Sequence, residues 1–289
     1  MLDNIKAIIF DFDGTLYDFK GLPKNLCLSS IPNMLKISAV QKTRKSLKGR
    51  DFPSIEEYEK EFFSVLKSFG KFKTPDVAKN WYNNLYMKKM ILVLSKKYKK
   101  RDGLLDLIKC LKSKNIKLVV YSDYRMLKER LKAVKFTEEE LSYFDGFFAS
   151  EDFACLKPAK KGFLKLTEKI GVSPENCLVV GDRADTDGKG AFDSGMKFVQ
   201  IKTHKTKPDY KPNHPLYSFE DFSKNSPRIL KYGATKIPFV PAKRGSGLRL
   251  HSRLLRFTSQ PRTNAPNVWV RLILDFKILS QRQKTTYFA

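Results

Sequence analysis

Residues 5–15 read IKAIIFDFDGT, an apolar run followed at once by two carboxylates. The apolar residues Ala7–Phe10 predict a strand that is buried on both faces. Asp11 and Asp13 stand where this strand passes into a loop. Burying two like charges together is unfavourable unless a cation or a reaction uses them. Because open α/β sheets bind ligands at the carboxyl ends of their strands, the stretch predicts a ligand site there. The plainer alternative is an ordinary acidic turn.

The rest of the chain to about residue 222 alternates apolar and amphipathic stretches. Further strands are predicted at residues 118–121, 146–149, 178–180 and 198–200. Helical patterns lie between them at residues 103–114, 126–134, 160–170 and 189–194. This alternation predicts an α/β fold, a Rossmann-like parallel sheet with helices on both faces.

Polar residues follow three of these segments in a fixed order. Ser122 and Asp123 close one strand, Lys157 precedes a proline and a helix, and Asp182 follows another strand in the run GDRADTD. Together with DFDGTLYD at residues 11–18, they resemble motifs I to IV of the haloacid dehalogenase-like (HAD) hydrolases. The resemblance covers roughly residues 1–222 and implies a phosphatase with an inserted helical cap.

The resemblance also implies a cofactor and a set of site residues. A Mg²⁺ ion would be held by Asp11, Asp13 (through its backbone carbonyl), Asp182 and Asp187. Asp185 is the rival of Asp187 for the second motif IV acid; we favour Asp187 because a run similar to the family's helix start follows it.

The catalytic residues implied by the resemblance are Asp11 as nucleophile, Asp13 as general acid and base, Ser122 and Lys157. The substrate phosphate would be bound by Gly14, Ser122, Asp123 and Lys157. Asp13 indicates phosphoryl transfer, because the dehalogenases of the superfamily lack an aspartate there. Asp123 is a departure, since many relatives carry asparagine at that position, and it adds a negative charge near the phosphate.

Two segments fall outside the alternating pattern. Residues 18–100 carry helical patterns, notably at residues 54–69 and 74–97, and are predicted to form the helical cap between core segments 1–17 and 101–222. The alternative is a second helical layer with no role in recognition. Residues 223–289 are predicted to be an irregular, weakly ordered basic extension. From residue 237 onward they hold seven arginines and three lysines against one acid, whereas the first 236 residues are rich in lysine.

The composition of the chain indicates the state of its cysteines, its location and the charge of its ligands. The four cysteines show no metal-ligand spacing and are expected to be reduced thiols. The apolar runs are too short to cross a bilayer and the first strand begins close to Met1, so we expect a cytoplasmic protein without membrane partners. The net charge of +26 agrees with an anionic substrate but does not select one.

The function expected from these features is Mg²⁺-dependent hydrolysis of a small phosphorylated metabolite through an aspartyl-phosphate. Phosphoglycolate-like, sugar-phosphate and nucleoside-monophosphate substrates stay open. One alternative is a phosphomutase of the same fold. The other is a non-catalytic binding protein whose basic tail binds nucleic acid. The oligomeric state is not indicated.

Overall fold

A six-stranded parallel sheet forms the centre of the computed structural model, which describes residues 4–232 and their side chains through residue 226. Its strands are β1 (Ala7–Phe10), β2 (Lys117–Ser122), β3 (Gly146–Ala149), β4 (Cys177–Gly181), β5 (Lys197–Ile201) and β6 (Leu216–Tyr217). The predicted α/β fold is confirmed. All five predicted strands are present, three of them one residue longer at each end, and β6 was not predicted.

The strand order β3-β2-β1-β4-β5-β6 places β1 between β2 and β4. In the register of the sheet, Phe10 lies beside Val120 on one side and Val180 on the other. The order reverses direction at β1, which makes the carboxyl edge of β1 and β4 the topological switch point. Side chains that follow β1, β2 and β4 therefore emerge together at one edge.

The apolar run of β1 supplies both faces of the sheet. Ile8 and Phe10 pack in one hydrophobic cluster, and Ala7 and Ile9 pack in the other. All four side chains are essentially inaccessible to water. Burial of an isoleucine or phenylalanine side chain stabilises the fold by about 1.5–3 kcal/mol, so β1 anchors the acidic loop that follows it.

Helices fill the long connection after β1. They are α1 (Leu22–Leu28), α2 (Met34–Ser46), α3 (Ile55–Gly70), α4 (Pro75–Trp81) and α5 (Met87–Lys97), with a 3₁₀ turn at Ile31–Asn33 and a π turn at Tyr82–Tyr86. The hydroxyls of Ser54 and Thr74 cap α3 and α4 by accepting hydrogen bonds from backbone N–H groups. The helix expected over residues 74–97 is thus α4 and α5 joined by the π turn. The assignment of residues 18–100 as a cap stays a prediction.

The remaining helices alternate with the strands. They are α6 (Leu104–Lys112), α7 (Leu127–Ala133), α8 (Glu138–Ser142), α9 (Lys160–Ile170), α10 (Lys189–Asp193) and α11 (Phe219–Tyr232). Short 3₁₀ turns lie at Ser150–Phe153 and Pro174–Asn176, and a second π turn lies at Ala184–Gly188.

The chain beyond β6 continues in α11, which runs across residue 222, where the basic extension was predicted to begin. The extension from residue 233 onward lies outside the described residues. Within residues 4–232, none of the helices combines the length and apolar character that a bilayer crossing needs.

Candidate active site

Asp11 lies at the centre of the site, one residue past β1. Its backbone N–H donates to the carbonyl oxygen of Val180 at 2.8 Å, which ties the loop to β4. The side chain is 11% exposed. Its Oδ1 accepts a hydrogen bond from Lys157 Nζ at 2.9 Å, and its Oδ2 accepts one from the Thr15 hydroxyl at 3.3 Å. Burial raises the pKa of Asp11 to about 7, although Lys157 opposes this shift.

Lys157 connects three elements through one buried ammonium group. Besides Asp11, its Nζ donates to Asp187 Oδ1 and to the carbonyl oxygen of Tyr121, both at 2.8 Å. Burial alone would lower the pKa of this lysine, but the carboxylates of Asp11 and Asp187 raise it above its ordinary value. The group is therefore a fixed positive charge at the carboxyl edge of the sheet.

Three carboxylates gather around this charge. Asp11, Asp182 and Asp187 are all buried, and each offers an oxygen within 4.8 Å of the others. Among the described residues, no side chain donates a hydrogen bond to the carboxylate of Asp182. Burial, together with the charges of Asp11 and Asp187, raises the pKa of Asp182 to about 9. A buried, unpaired carboxylate next to two others is the environment that a divalent cation relieves.

Asp185 lies apart from this cluster. Its carboxylate is 56% exposed and forms ion pairs with Arg183 at 2.7 Å and with Lys48. Although partial burial opposes the shift, the hydrogen bonds from Arg183 and Lys48 lower the pKa of Asp185 to about 2. The structure thus places Asp187 inside the acidic cluster and Asp185 on the surface beside it.

Asp13 is held by Tyr17 and Arg130, to which the motifs assigned no role. Its Oδ1 accepts a hydrogen bond from the Tyr17 hydroxyl at 2.5 Å, and its Oδ2 forms an ion pair with Arg130. Arg130 is completely buried, whereas the Asp13 side chain is 26% exposed. Arg130 also donates to Ser122 Oγ at 3.2 Å and to the carbonyl oxygen of Tyr124 at 3.3 Å. One guanidinium group therefore links the predicted acid–base residue to the predicted phosphate-binding serine.

Gly14 occupies a close-packed position, and Asp123 is held by hydrogen bonds. Gly14 has φ +95°, and a Cβ there would lie 2.7 Å from Asp182 Oδ2, so no other residue fits. The Asp123 carboxylate accepts hydrogen bonds from the Ser150 hydroxyl at 2.7 Å and the Lys157 N–H at 3.0 Å. The loop that carries Lys157 thus holds the Asp123 carboxylate through hydrogen bonds.

Arg44 of α2 ties the helical segment 18–100 to the core next to this site. It donates to the carbonyl oxygen of Asp123 at 3.0 Å and to the Tyr82 hydroxyl at 2.8 Å, and it forms a buried ion pair with Glu151. The guanidinium carbon lies 3.6 Å from the centre of the Tyr124 ring. The helices therefore meet the core directly over the loop that follows β2.

The predicted site residues thus all lie at the carboxyl edge of the sheet. Sequence reasoning missed Arg130, Tyr17 and Arg44. The sequence did carry a signal for Arg130, namely its position on a helix. Arg130 comes three residues after Leu127 and one before Leu131, which are both buried, so it lies on the apolar side of α7. A charged residue on that side requires a buried partner.

Two curated proteins resemble this chain over most of their length. The phosphoglycolate phosphatase of Aquifex aeolicus is 28% identical over 226 residues, covering 73% of this chain and 93% of that protein. The glyceraldehyde 3-phosphate phosphatase of Methanopyrus kandleri is 25% identical over 231 residues, covering 78% and 95%. Both names support the predicted phosphoric monoester hydrolase. In fold, the crystal structure of β-phosphoglucomutase from Clostridium difficile is similar, with a TM-score of 0.55 at 18% identity, covering 78% of this chain and 97% of that one.

The family model that matches is described as haloacid dehalogenase-like hydrolase, and it spans residues 5–195. That span contains every element from β1 to α10 and takes in every carboxylate of the acidic cluster together with Lys157. Since the match covers most of the chain and its whole candidate site, the protein belongs to the haloacid dehalogenase-like hydrolases, as its motifs predicted.

Proposed function

We propose that this protein is a Mg²⁺-dependent phosphatase that hydrolyses a small phosphorylated metabolite through an aspartyl-phosphate intermediate. The observation that carries the proposal is the hydrogen bond from the buried Lys157 ammonium to Asp11, inside a cluster of three carboxylates. A carboxylate must be fixed in position and screened from an anionic phosphate before it can attack. Lys157 fixes the Asp11 carboxylate in position and supplies part of the screening charge.

The acidic cluster fits a hard divalent cation, which prefers oxygen ligands. Asp11 and Asp182 would hold the Mg²⁺ together with the backbone carbonyl oxygen of Asp13, and Asp187 would fix the metal or its waters. The fit rests on Asp182, whose carboxylate has no donor among the described side chains and whose pKa is raised to about 9. When bound, Mg²⁺ supplies positive charge that lets these carboxylates ionise beside a phosphate group.

In the first step, a carboxylate oxygen of Asp11 attacks phosphorus, the bond between phosphorus and the alcohol oxygen breaks, and Asp13 donates its proton to that oxygen. Ser122 and Lys157 hold the phosphoryl oxygens, with the backbone N–H groups of Gly14 and Asp123 as further donors. In the second step, Asp13 takes a proton from water as the water attacks phosphorus. The bond to Asp11 then breaks and inorganic phosphate leaves.

The helical segment 18–100 acts in this proposal as a cap. Arg44 joins it to the loop that carries Asp123, so the helices cover one side of the reacting group. A covered site excludes bulk water during the first step, which keeps the electrostatic interactions strong. The proposal places the reaction in the cytoplasm.

The test is phosphate release from a panel of phosphate esters, with and without Mg²⁺. We expect metal-dependent release that Asp11→Asn lowers at least about 1,000-fold. Asp193→Asn is the matched control, because Asp193 is a surface aspartate paired with Lys189 at the end of α10. Its activity should equal that of the wild type.

Two results would contradict the proposal. One is a folded protein that releases no phosphate from any ester in Mg²⁺. The other is release that persists in Asp11→Asn. Transfer of the phosphoryl group to a second alcohol without net release would instead indicate a phosphomutase.

A further inference from the structure

A cavity of about 880 Å³ opens beside the proposed site, as formed by the described residues. Asp13 and Asp182 line it on the side of the sheet, and the helical segment 18–100 lines it on the other. Ligand cavities for small molecules have volumes of about 300–1,000 Å³. This one is therefore large enough for an alcohol many atoms bigger than glycolate.

The wall that the helical segment contributes is predominantly apolar and aromatic. It consists of Phe19, Leu22, Pro23, Leu26, Tyr86 and Met90. These side chains come from the loop after β1, from α1, from the π turn and from α5. Phe19, Leu22 and Pro23 are only partly buried, so their apolar surface is available to a ligand.

Polar groups on this wall are few. Gln41 is the polar side chain that α2 adds, and its amide nitrogen already donates to the Tyr124 hydroxyl at 3.1 Å. The hydroxyl of Tyr86 is buried and has no hydrogen-bond partner among the described residues. It lies in the π turn at Tyr82–Tyr86, a helical irregularity that is frequent at functional sites.

This wall discriminates between the three substrate classes left open by the sequence. A sugar alcohol would bring hydroxyl groups against the apolar side chains of this wall and lose hydration there without compensation, and a glycolate is too small to cover the wall. A flat aromatic ring instead packs its faces against apolar surface, and those faces need no hydrogen bonds. The segment between β5 and β6 adds polar side chains to the cavity: Thr203, Lys205, Thr206 and Lys207. Lys205 Nζ lies 4.4 Å from the centre of the Phe19 ring, and the two ammonium groups favour an anionic ligand.

We propose that the substrate is a phosphate monoester whose alcohol carries a flat heteroaromatic ring, as in a nucleoside 5′-monophosphate. This inference rests on the proposed phosphatase function and deepens it. The ring lies against the wall of α1 and α5, while the phosphate reaches Asp11.

The test compares kcat/KM for uridine and adenosine 5′-monophosphates with kcat/KM for glycerol 3-phosphate, glucose 6-phosphate and phosphoglycolate, all in Mg²⁺. We expect the nucleotides to be preferred by at least about 10-fold, the size of discrimination that apolar pocket contacts provide. Leu22→Asn should narrow this ratio, mainly by raising KM for the nucleotides.

Leu28→Asn is the matched control. Leu28 ends the same helix, is 46% exposed and lies outside the cavity, so the ratio should stay at the wild-type value. Thermal unfolding of both variants checks that the folds are equally stable.

The outcomes separate the two proposals. If the small esters are hydrolysed as well as the nucleotides, or if Leu22→Asn leaves the ratio unchanged, the ring-binding inference is wrong and the phosphatase stands. If no ester is hydrolysed by the folded protein in Mg²⁺, the phosphatase proposal fails, and this inference fails with it.

Discussion

Replacing Arg130 with methionine removes the cation that holds Asp13, and the structure gives the expected size of the effect. The arginine side chain is completely buried, and its guanidinium group contacts Asp13, Ser122 and the Tyr124 carbonyl. Removing one partner of a buried ion pair costs about 3–5 kcal/mol. Because the Asp13 side chain is 26% exposed and keeps the Tyr17 hydroxyl, part of this loss is recovered. We expect the free energy of unfolding to fall by about 3 kcal/mol.

Urea unfolding followed by circular dichroism measures this loss, and the midpoint should fall while the slope stays constant. For a protein of this size, the melting temperature should drop by about 6–12 °C. Lys132→Met on the same helix is the control. Its ion pair with Glu138 joins side chains that are 49% and 76% exposed, so its removal should cost about 0–1 kcal/mol. An Arg130→Met protein within about 0.5 kcal/mol of the wild type would refute this reasoning.

The same variant has a kinetic readout that a purely structural role would not produce. In the proposed mechanism Asp13 acts on the leaving oxygen in the transition state, so a misplaced Asp13 should lower kcat with little change in KM. Arg130→Lys should restore part of kcat, because one ammonium group can pair with Asp13 but cannot also reach Ser122 as the guanidinium does. A raised KM at unchanged kcat would contradict a positioning role for Arg130.

Two further predictions concern the acidic cluster. Asp187→Asn should lower phosphate release at least about 100-fold. Asp185→Asn removes a carboxylate from an exposed ion pair, so its phosphate release should stay within about twofold of the wild type. Comparable losses in the two variants would contradict the assignment of Asp187. The second concerns pH: the pKa of Asp182 is about 9 in the folded protein against an ordinary 3.8. The stability gained from holding this proton is full below about pH 4 and is lost as the pH rises through about 9. Without metal, the melting temperature should therefore fall between pH 5 and pH 9 more steeply in the wild type than in Asp182→Asn. Mg²⁺ should raise the melting temperature of the wild type most at pH 9. Parallel curves of melting temperature against pH for the two proteins would contradict this prediction.

The core of the fold was predictable because its strands are apolar on both faces. Ala7–Phe10 and Gly146–Ala149 begin and end at the predicted residues. The strand β6 was missed for a physical reason: it has two residues, both only partly buried, and pairs with one neighbour. So short a segment has no periodicity to detect. The π turn at Tyr82–Tyr86 was missed because no proline or glycine marks it.

The site was predictable where a motif carries the chemistry and not where a partner comes from far along the chain. Asp123 was expected to add a charge near the phosphate, which stays a prediction. The sequence did not indicate that its carboxylate accepts hydrogen bonds from Ser150 and from the backbone N–H of Lys157, 27 and 34 residues away. Arg130 reaches Asp13 across 117 residues. Such pairings depend on the three-dimensional path of the chain, so periodicity could flag the buried charge on α7 but could not name its partner.

The charges at the carboxyl edge explain why metal and phosphate should be bound together. Of the three buried carboxylates, Asp11 and Asp187 share one ammonium group. The raised pKa values of Asp11 and Asp182 indicate that this edge holds protons near neutral pH when no metal compensates it. A phosphate dianion brought to the edge would raise those pKa values further, and a protonated Asp11 cannot attack. In the proposed mechanism a divalent cation would displace the protons and attract the dianion, and Lys157 would bind its oxygens. Each ligand would therefore increase the affinity for the other, as linkage requires. Burial strengthens this coupling, because charges interact more strongly where water is excluded.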